Sequence, residues 1–240
     1  MKKNTWGAVT QIMFYPALFP MNAYLVEEED GLTLIDACMP FAAKGILQAV
    51  RDANKPLARI LLTHAHEDHV GSVPFLKQHF PEAKIGISAR EAAILKGDHS
   101  LLAHEPQTPL RGGLPKNSPL KADFYIEDND RIGSLLTVSS PGHSPGHMAF
   151  LETTSGTLIA GDAFQTKGGL AVSGHMKLSF PFPAMATWHT PTSIASAQKL
   201  IQLNPVRLAV GHGPVLEQPL AAMKQAVRDA EQRWNRRNPA

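Results

Sequence analysis

Apolar residues recur along this chain in two rhythms, and each rhythm predicts a different element. Short apolar runs bounded by turn residues predict strands: Asn22 to Glu28, Leu32 to Asp36, Ala58 to Leu62, Ile85 to Ser88, and later Ala122 to Ile126, Ser134 to Val138, Met148 to Glu152, Thr157 to Ala160 and Arg207 to Val210. The first two form a hairpin through a Glu29-Asp30-Gly31 turn. A three-to-four-residue rhythm predicts helices: Ala43, Ile46, Leu47 and Val50; Val70, Val73, Leu76 and Phe80; Arg90 to Leu95; Ile194, Ala197, Leu200 and Ile201; and Met223, Val227, Ala230 and Trp234, with Pro219 near the last helix's first turn. Two segments keep neither rhythm, Gly97 to Leu120 and Phe164 to Thr190. Aperiodic stretches of that length in a compact fold are usually functional or mobile.

Strands with helices between them, in two similar halves, predict two sheets packed face to face with helices outside. No linker separates the halves, so residues 1–240 are expected to form a single domain.

Composition narrows the class. Hydrophobic residues make up 43% and charged residues 18%, a globular balance. A net charge of +2 gives no basic surface for a nucleic acid, and the one basic cluster, Arg233 to Arg237, falls at a helix end. A single cysteine, Cys38, excludes an internal disulfide and fits a reducing compartment; it is expected to pack as a small residue after a strand. Asn4, Thr5, Gly7, Thr10 and Gln11 interrupt any signal-peptide core, and no run reaches the ~20 apolar residues of a membrane span. The expectation is a cytoplasmic protein acting on a small molecule, with no nucleic-acid or membrane partner and a homodimer possible.

The chemistry lies at the ends of the strands. Thr63-His64-Ala65-His66-Glu67-Asp68-His69 packs three imidazoles and two carboxylates onto a strand-to-helix loop. Neutral imidazole nitrogens and carboxylate oxygens are ligands for zinc and its first-row neighbours. The same heptapeptide would also be tolerated as a polar surface loop, so the other strand ends matter. His143 and His147 lie in Ser140-Pro141-Gly142-His143-Ser144-Pro145-Gly146-His147, Asp162 ends the strand at Gly161, and His212 sits in Gly211-His212-Gly213. Flanking glycines allow sharp turns and a close approach of backbone to an ion. Sequence alone does not choose between His143 and His147 as ligand. Asp36, at the end of an early strand, fits either a capping role or that of a proton acceptor for a ligand imidazole.

These ordered motifs, from Asp36 to His212, resemble the metallo-β-lactamase superfamily, whose fold is a four-layer αβ/βα sandwich. His64, His66, Asp68 and His69 match its His-x-His-x-Asp-His signature. The resemblance implies one divalent ion on His64, His66 and His143 and a second on Asp68, His69 and His212, with Asp162 bridging. It places His147 and Asp36 behind the ligands. It also implies hydrolysis by a metal-bridging hydroxide, with Asp68 as the catalytic carboxylate that orients the nucleophile and returns a proton. Zinc is the expected metal, with iron, manganese, cobalt or nickel as alternatives.

Departures from individual subfamilies narrow the expected reaction. Asp162 stands where the common zinc β-lactamases carry cysteine. Only a short stretch follows His212, unlike the longer helical region of glyoxalase II-like thioesterases, and no RNA-binding arm is present. His66 excludes the flavodiiron pattern. A lactonase-like hydrolase of an ester, lactone or thioester is favoured, although no tyrosine follows Tyr125 to match the one often found after the bridging aspartate of N-acyl-homoserine lactonases. The alternatives are a glyoxalase II-like thioesterase and a mononuclear iron sulfur dioxygenase on the same fold. Met13 to Met21 and Met176, Phe180, Phe182, Met185 and Trp188 are expected to wall an apolar pocket. His175, His189, Lys167 and Arg111 are weaker candidates for touching substrate.

Overall fold

The computed structural model describes residues 1–116 and 118–239. Among them, strands β1 (Lys2–Trp6), β2 (Val9–Phe14), β3 (Met21–Glu28), β4 (Gly31–Ile35), β5 (Leu57–Leu61), β6 (Lys84–Ile87) and β7 (Phe124–Tyr125) form one sheet in sequence order. It is antiparallel from β1 to β4 and parallel from β4 to β7. The crossovers carry α1 (Ala43–Asp52), α2 (Glu67–Val70), α3 (Val73–His79) and α4 (Ala89–Leu95). A second sheet contains β8 (Arg131–Ile132), β9 (Leu135–Ser139), β10 (Met148–Glu152) and β11 (Thr157–Ile159), followed after a short ribbon of β12 (Phe164–Gln165) and β13 (Ala171–Val172) by β14 (Arg207–Ala209) and β15 (Leu216–Glu217). Helices α5 (Phe182–Met185), α6 (Thr190–Ile201) and α7 (Leu220–Arg237) complete the chain.

Side-chain alternation assigns the layers. In β3, Ala23 and Leu25 join the core under α1 and α3, whereas Tyr24 and Val26 face the other sheet. In the second sheet Leu158 and Leu208 point to the core under α6 and α7, whereas Phe150, Ile159 and Ala209 meet the first sheet. Strands buried on both faces explain why their sequences read as nearly continuous apolar runs. The expected αβ/βα sandwich is the observed fold.

Three local differences have physical causes. The N-terminal strands escape the sequence reading because β1 is a polar, mostly exposed edge and Gln11 interrupts the apolar pattern of β2. Gln11 is nevertheless fully buried. The hairpin turn is the two residues Glu29-Asp30, since Gly31 already pairs with Glu28. The helix expected after the histidine motif is two helices, broken at Gly71-Ser72, where a β-carbon on Gly71 would come within 2.6 Å of Pro40.

The buried polar residues of β2 and β3 have a shared target. Gln11 Nε2 donates to the Gly213 carbonyl at 3.0 Å, Asn22 Nδ2 to those of Val210 and Gly213 at 2.7 Å each, and Tyr24 Oη to Val210 at 2.7 Å. Together they hold the loop that carries His212. Asn22→Ala leaves the Gly213 carbonyl with one donor fewer and is expected to lower the unfolding free energy by about 1–3 kcal/mol. Urea titration tests this, with a reduced midpoint at unchanged slope.

Candidate metal centre

Four loops, each following a strand end, bring together the seven residues of the histidine and aspartate motifs. Past β5, Thr63 is anchored to Asp36: its N–H donates to Oδ1 at 2.9 Å and its hydroxyl to Oδ2 at 2.8 Å. Asp36 itself sits in the left-handed region at φ 56°. Sequence left a capping or an imidazole-binding role open for it, and the structure provides the second, because His69 Nδ1 lies 2.7 Å from Asp36 Oδ2.

The hydrogen-bond partners fix which nitrogen of each ring faces inward. The Thr63 hydroxyl hydrogen is committed to Asp36, so His64 Nδ1–H donates to Thr63 Oγ at 2.9 Å. His66 Nε2–H donates to the Arg111 carbonyl and His212 Nδ1–H to the Pro20 carbonyl, both at 2.8 Å. His143 Nδ1–H donates to Ser173 Oγ at 3.1 Å, the serine hydroxyl being committed to the Asp162 carbonyl. Each ring is thereby anchored through one nitrogen and presents the other to a common centre.

The inward atoms make overlapping groups. His64, His66 and His143 form one, Asp68, His69 and His212 another, and His64, His69 and Asp162 a third, with the ligand atoms of each group within 4.8 Å of one another. His64 Nε2 and His143 Nε2 both lie 3.1 Å from His66 Nδ1. Asp162 stands between the sets, with Oδ2 3.1 Å from His212 Nε2 and 3.5 Å from His143 Nε2, and Oδ1 3.5 Å from His69 Nε2. His69 Nε2 and Asp162 Oδ1 are buried without hydrogen-bond partners. Buried polar atoms are normally satisfied. Inward lone pairs, two orphaned buried atoms and two carboxylates are the donor set that divalent transition ions fit.

His147 is used differently. Its Nδ1–H donates to Ser140 Oγ at 2.9 Å and its Nε2 accepts the Asp162 N–H at 3.1 Å. With both nitrogens committed it has none to offer a metal, and it positions the Asp162 backbone instead. Burial pushes its pKa down to about 3, so the ring stays neutral. Two glycines let this cluster close. A β-carbon on Gly161, at φ 48°, would come within 2.8 Å of His147 Nε2, and one on Gly211 would overlap Asp162 Oδ1.

The floor beside this cluster opens into a cavity of about 580 Å³. Phe19, Met21, Met39, Phe41, Phe182 and Met185 form its walls. Of the expected wall residues, Phe182 and Met185 therefore line it. Phe180 is buried behind them against Phe19, and Trp188 is buried with its Nε1–H on the Thr108 carbonyl at 2.8 Å. Met176 does not reach the cavity, and from the Met13 to Met21 stretch only Phe19 and Met21 do. The weaker candidates also lie elsewhere. His189 caps α6 and His175 packs toward α7, while Lys167 donates to the Ala17 carbonyl and Arg111 contributes its carbonyl to His66. Sequence reasoning missed Met39 and Phe41, whose only signal was two large apolar residues straight after the Asp36 strand end.

Electrostatics divides the centre. Burial drives His64, His66 and His143 below the ordinary histidine range; Asp68 on His66 and Asp162 on His143 pull the other way without overcoming it, and neighbouring imidazoles, His69 among them, add to the depression. Burial also opposes charge on His69 and His212, but Asp162 and the neighbouring carboxylates prevail: His69 is raised, and His212 reaches about 10. A raised pKa means that the ring holds its proton up to about pH 10, and an ion must displace that proton to take Nε2. Loading zinc at pH 7.5 is therefore expected to release protons, with apparent affinity falling as pH is lowered. Calorimetry in buffers of different ionisation enthalpy measures the number released; none would contradict the assignment of a charged His212.

The profile of the Metallo-beta-lactamase superfamily matches residues 17–212. The chain is 54% identical over 231 residues to YobT of Bacillus subtilis (strain 168), covering 96% of this chain and 99% of that one. It is 29% identical over 203 residues to hydroxyacylglutathione hydrolase GloC of Haemophilus influenzae (strain ATCC 51907 / DSM 11121 / KW20 / Rd), covering 81% and 86%. Its structure is similar to that of TTHA1623 in a di-iron-bound form, with a TM-score of 0.64 at 28% identity over 88% of this chain and 96% of that one. This chain belongs to the metallo-beta-lactamase superfamily and is a hydrolase of that fold.

Proposed function

We propose that the protein is a dinuclear metallohydrolase that opens a neutral ester or lactone carrying an apolar acyl group. His64, His66 and His143 would hold one divalent ion and Asp68, His69 and His212 the other, with Asp162 shared between them. Two such ions would polarise the substrate carbonyl and bring the pKa of a coordinated water toward neutrality. The side chains do the rest. Asp68, one-quarter exposed on the cavity floor with Oδ2 3.3 Å from His212 Nε2, is the carboxylate that orients the attacking water, holds its proton and passes it to the leaving oxygen. Phe19 and Phe182, with ring centroids 4.9 Å apart, and Met185 shield the acyl chain from water.

The observation that carries the substrate class is the charge of the cavity. Among the described residues lining it there is no lysine or arginine, and Glu67 is the only charged side chain outside the histidine and aspartate cluster. Glu67 is exposed, and no salt bridge holds it among the described residues. A glutathione thioester carries carboxylates remote from its reacting carbonyl, and these would meet apolar rings and a like charge. The similarity to GloC supports the thioesterase alternative; the cavity wall favours the neutral acyl substrate. Seven inward donors also exceed the two histidines and one carboxylate of a facial iron site, which favours the dinuclear hydrolase over the mononuclear iron dioxygenase.

Metal analysis of protein purified without chelator is expected to find two ions per chain, and Asp162→Ala to retain one or none. Full metal content and full hydrolysis in that variant would remove Asp162 from the bridge. In a substrate panel, neutral long-chain lactones and aryl esters are expected to surpass S-lactoylglutathione in kcat/KM. Glu67→Lys should narrow that gap by about tenfold, the scale of one exchanged charge contact of roughly 1.4 kcal/mol. A wild-type preference for the glutathione thioester would overturn the neutral-substrate reading.

A further inference from the structure

Glu91 is a fully buried carboxylate in α4 that does not line the cavity. Its neighbour Arg90 does not neutralise it, because that guanidinium is engaged by Glu105 at 2.7 and 2.9 Å. No salt bridge holds Glu91 among the described residues. Burying an unpaired carboxylate is costly unless hydrogen bonds compensate. Burial does raise its pKa, and the Ser144 side chain, the backbone N–H groups of Ala65 and Gly146 and, least of these, the Arg90 charge oppose that rise.

The local sequence Ser88-Ala89-Arg90-Glu91 has the form of a capping box, in which the glutamate would return to the backbone N–H of the serine. Half of that motif is present: Ser88 Oγ accepts the Glu91 N–H at 3.2 Å. The carboxylate goes elsewhere. Oε2 accepts the N–H of Ala65, between His64 and His66, at 2.8 Å, and Oε1 accepts the N–H of Gly146, three residues beyond His143, at 2.8 Å. Ser88 Oγ reinforces the second link by donating to the Gly146 carbonyl at 2.7 Å. The approach is too close for any side chain at Gly146, where a β-carbon would lie 2.6 Å from Ser88 Oγ and 2.7 Å from Arg90 Cβ.

We propose that Glu91 is a positioning residue whose carboxylate clamps the His64–His66 loop of one half of the sandwich to the His143–His147 loop of the other, and so sets the three-histidine side of the centre. The proposal rests on the reading of His64, His66 and His143 as sharing an ion. Asp36 does the corresponding work for His69 on the other side, within one half of the chain. Glu91 is the only carboxylate among the described residues that bonds to both of these loops by their backbone.

Glu91→Gln tests the clamp, because a carboxamide can accept from one of the two N–H groups but presents its own N–H to the other. Amide hydrogen exchange and zinc occupancy are measured on the same zinc-loaded protein. Exchange at Ala65 or Gly146 is expected to rise about tenfold, the loss of one hydrogen bond. Zinc at the three-histidine position, followed by anomalous scattering from crystals equilibrated at limiting zinc, should bind about 10–100-fold more weakly, as for other partners that orient metal ligands. Zinc on Asp68, His69 and His212 should change by less than about threefold. Unchanged exchange, or equal weakening of both ions, would overturn the proposal. Should Glu91→Gln fail to fold, Ser88→Ala keeps the carboxylate and removes the reinforcing bond together with the cap on the Glu91 N–H; it is expected to weaken the same ion by a smaller factor, and weakening of both ions alike would again refute the clamp. Wild-type protein with no zinc on the three histidines would instead defeat the dinuclear reading, and the exchange comparison alone would then judge whether Glu91 joins the loops.

Discussion

The centre depends on a constraint that acts outside it: each of five imidazoles gives up one nitrogen to a fixed acceptor and turns the other toward a common point, bare on His64, His66 and His143 and carrying a displaceable proton on His69 and His212. Asp36, Thr63, Ser173 and the carbonyls of Pro20 and Arg111 are those acceptors. A histidine that could choose its tautomer would satisfy its inward nitrogen with a proton and a neighbour. Deprived of that choice, the rings crowd lone pairs together at distances near 3.1 Å. A cation resolves that crowding. The fold thus holds a locally unfavourable arrangement, and the anchoring bonds keep it from relaxing.

The sandwich makes this possible because it places the ends of β5, β9, β11 and β14 near one another while burying both faces of each sheet. Apolar burial in three cores supplies the stability against which a desolvated polar cluster can be held. The cluster is also electrostatically uneven. The three-histidine set is neutral, since burial there outweighs the pull of Asp68 and Asp162. Around Asp162 and Asp68, carboxylates outweigh burial and keep His69 and His212 charged. Protons therefore occupy the carboxylate-rich side before any ion does, and the two sides differ in what an ion must displace.

Much of this was legible in the sequence, for a definite reason. Ligand-type residues at strand ends are rare side chains in conspicuous places, so His64, His66, Asp68, His69, His143, Asp162 and His212 could be singled out, and the alternating apolar runs between them gave the layers. The choice between His143 and His147 could not be made from residues, since both follow Pro-Gly or Ser-Pro-Gly turns. The structure separates their surroundings: β10 starts at Met148 with His147 held at its foot by Ser140 and by the Asp162 backbone, whereas His143 Nε2 lies among the inward nitrogens, 3.1 Å from His66 Nδ1. Backbone acceptors left no trace at all: a carbonyl at Arg111 or Pro20 has no residue signature. Gln11 misled in the opposite sense, a polar residue in a strand whose partner is a carbonyl 202 positions away. Glu91 carries no sequence signal of its long-range bonds, because Ser88-Ala89-Arg90-Glu91 has the form of a local capping box.

The two aperiodic segments and the loop after β2 wall the cavity, which suggests that substrate range could drift without touching the ions. The anchoring pattern argues otherwise. Pro20, which fixes His212, lies beside Phe19 on the cavity wall; Arg111, which fixes His66, is followed by Gly112, whose missing β-carbon lets the His66 ring approach; and Ser173, which fixes His143, belongs to the segment that leads into Phe182. The loops that shape the pocket are also those that select the tautomers. A change in wall geometry at these three points propagates into the direction of a histidine lone pair, so pocket and metal chemistry are coupled through backbone atoms. His64 and His69 stand apart from this coupling, because Asp36 and Thr63 follow within two residues of β4 and β5 and are bonded to each other there. The rigid part of the centre is the part built on β4 and β5, and the adjustable part is the part that the walls hold.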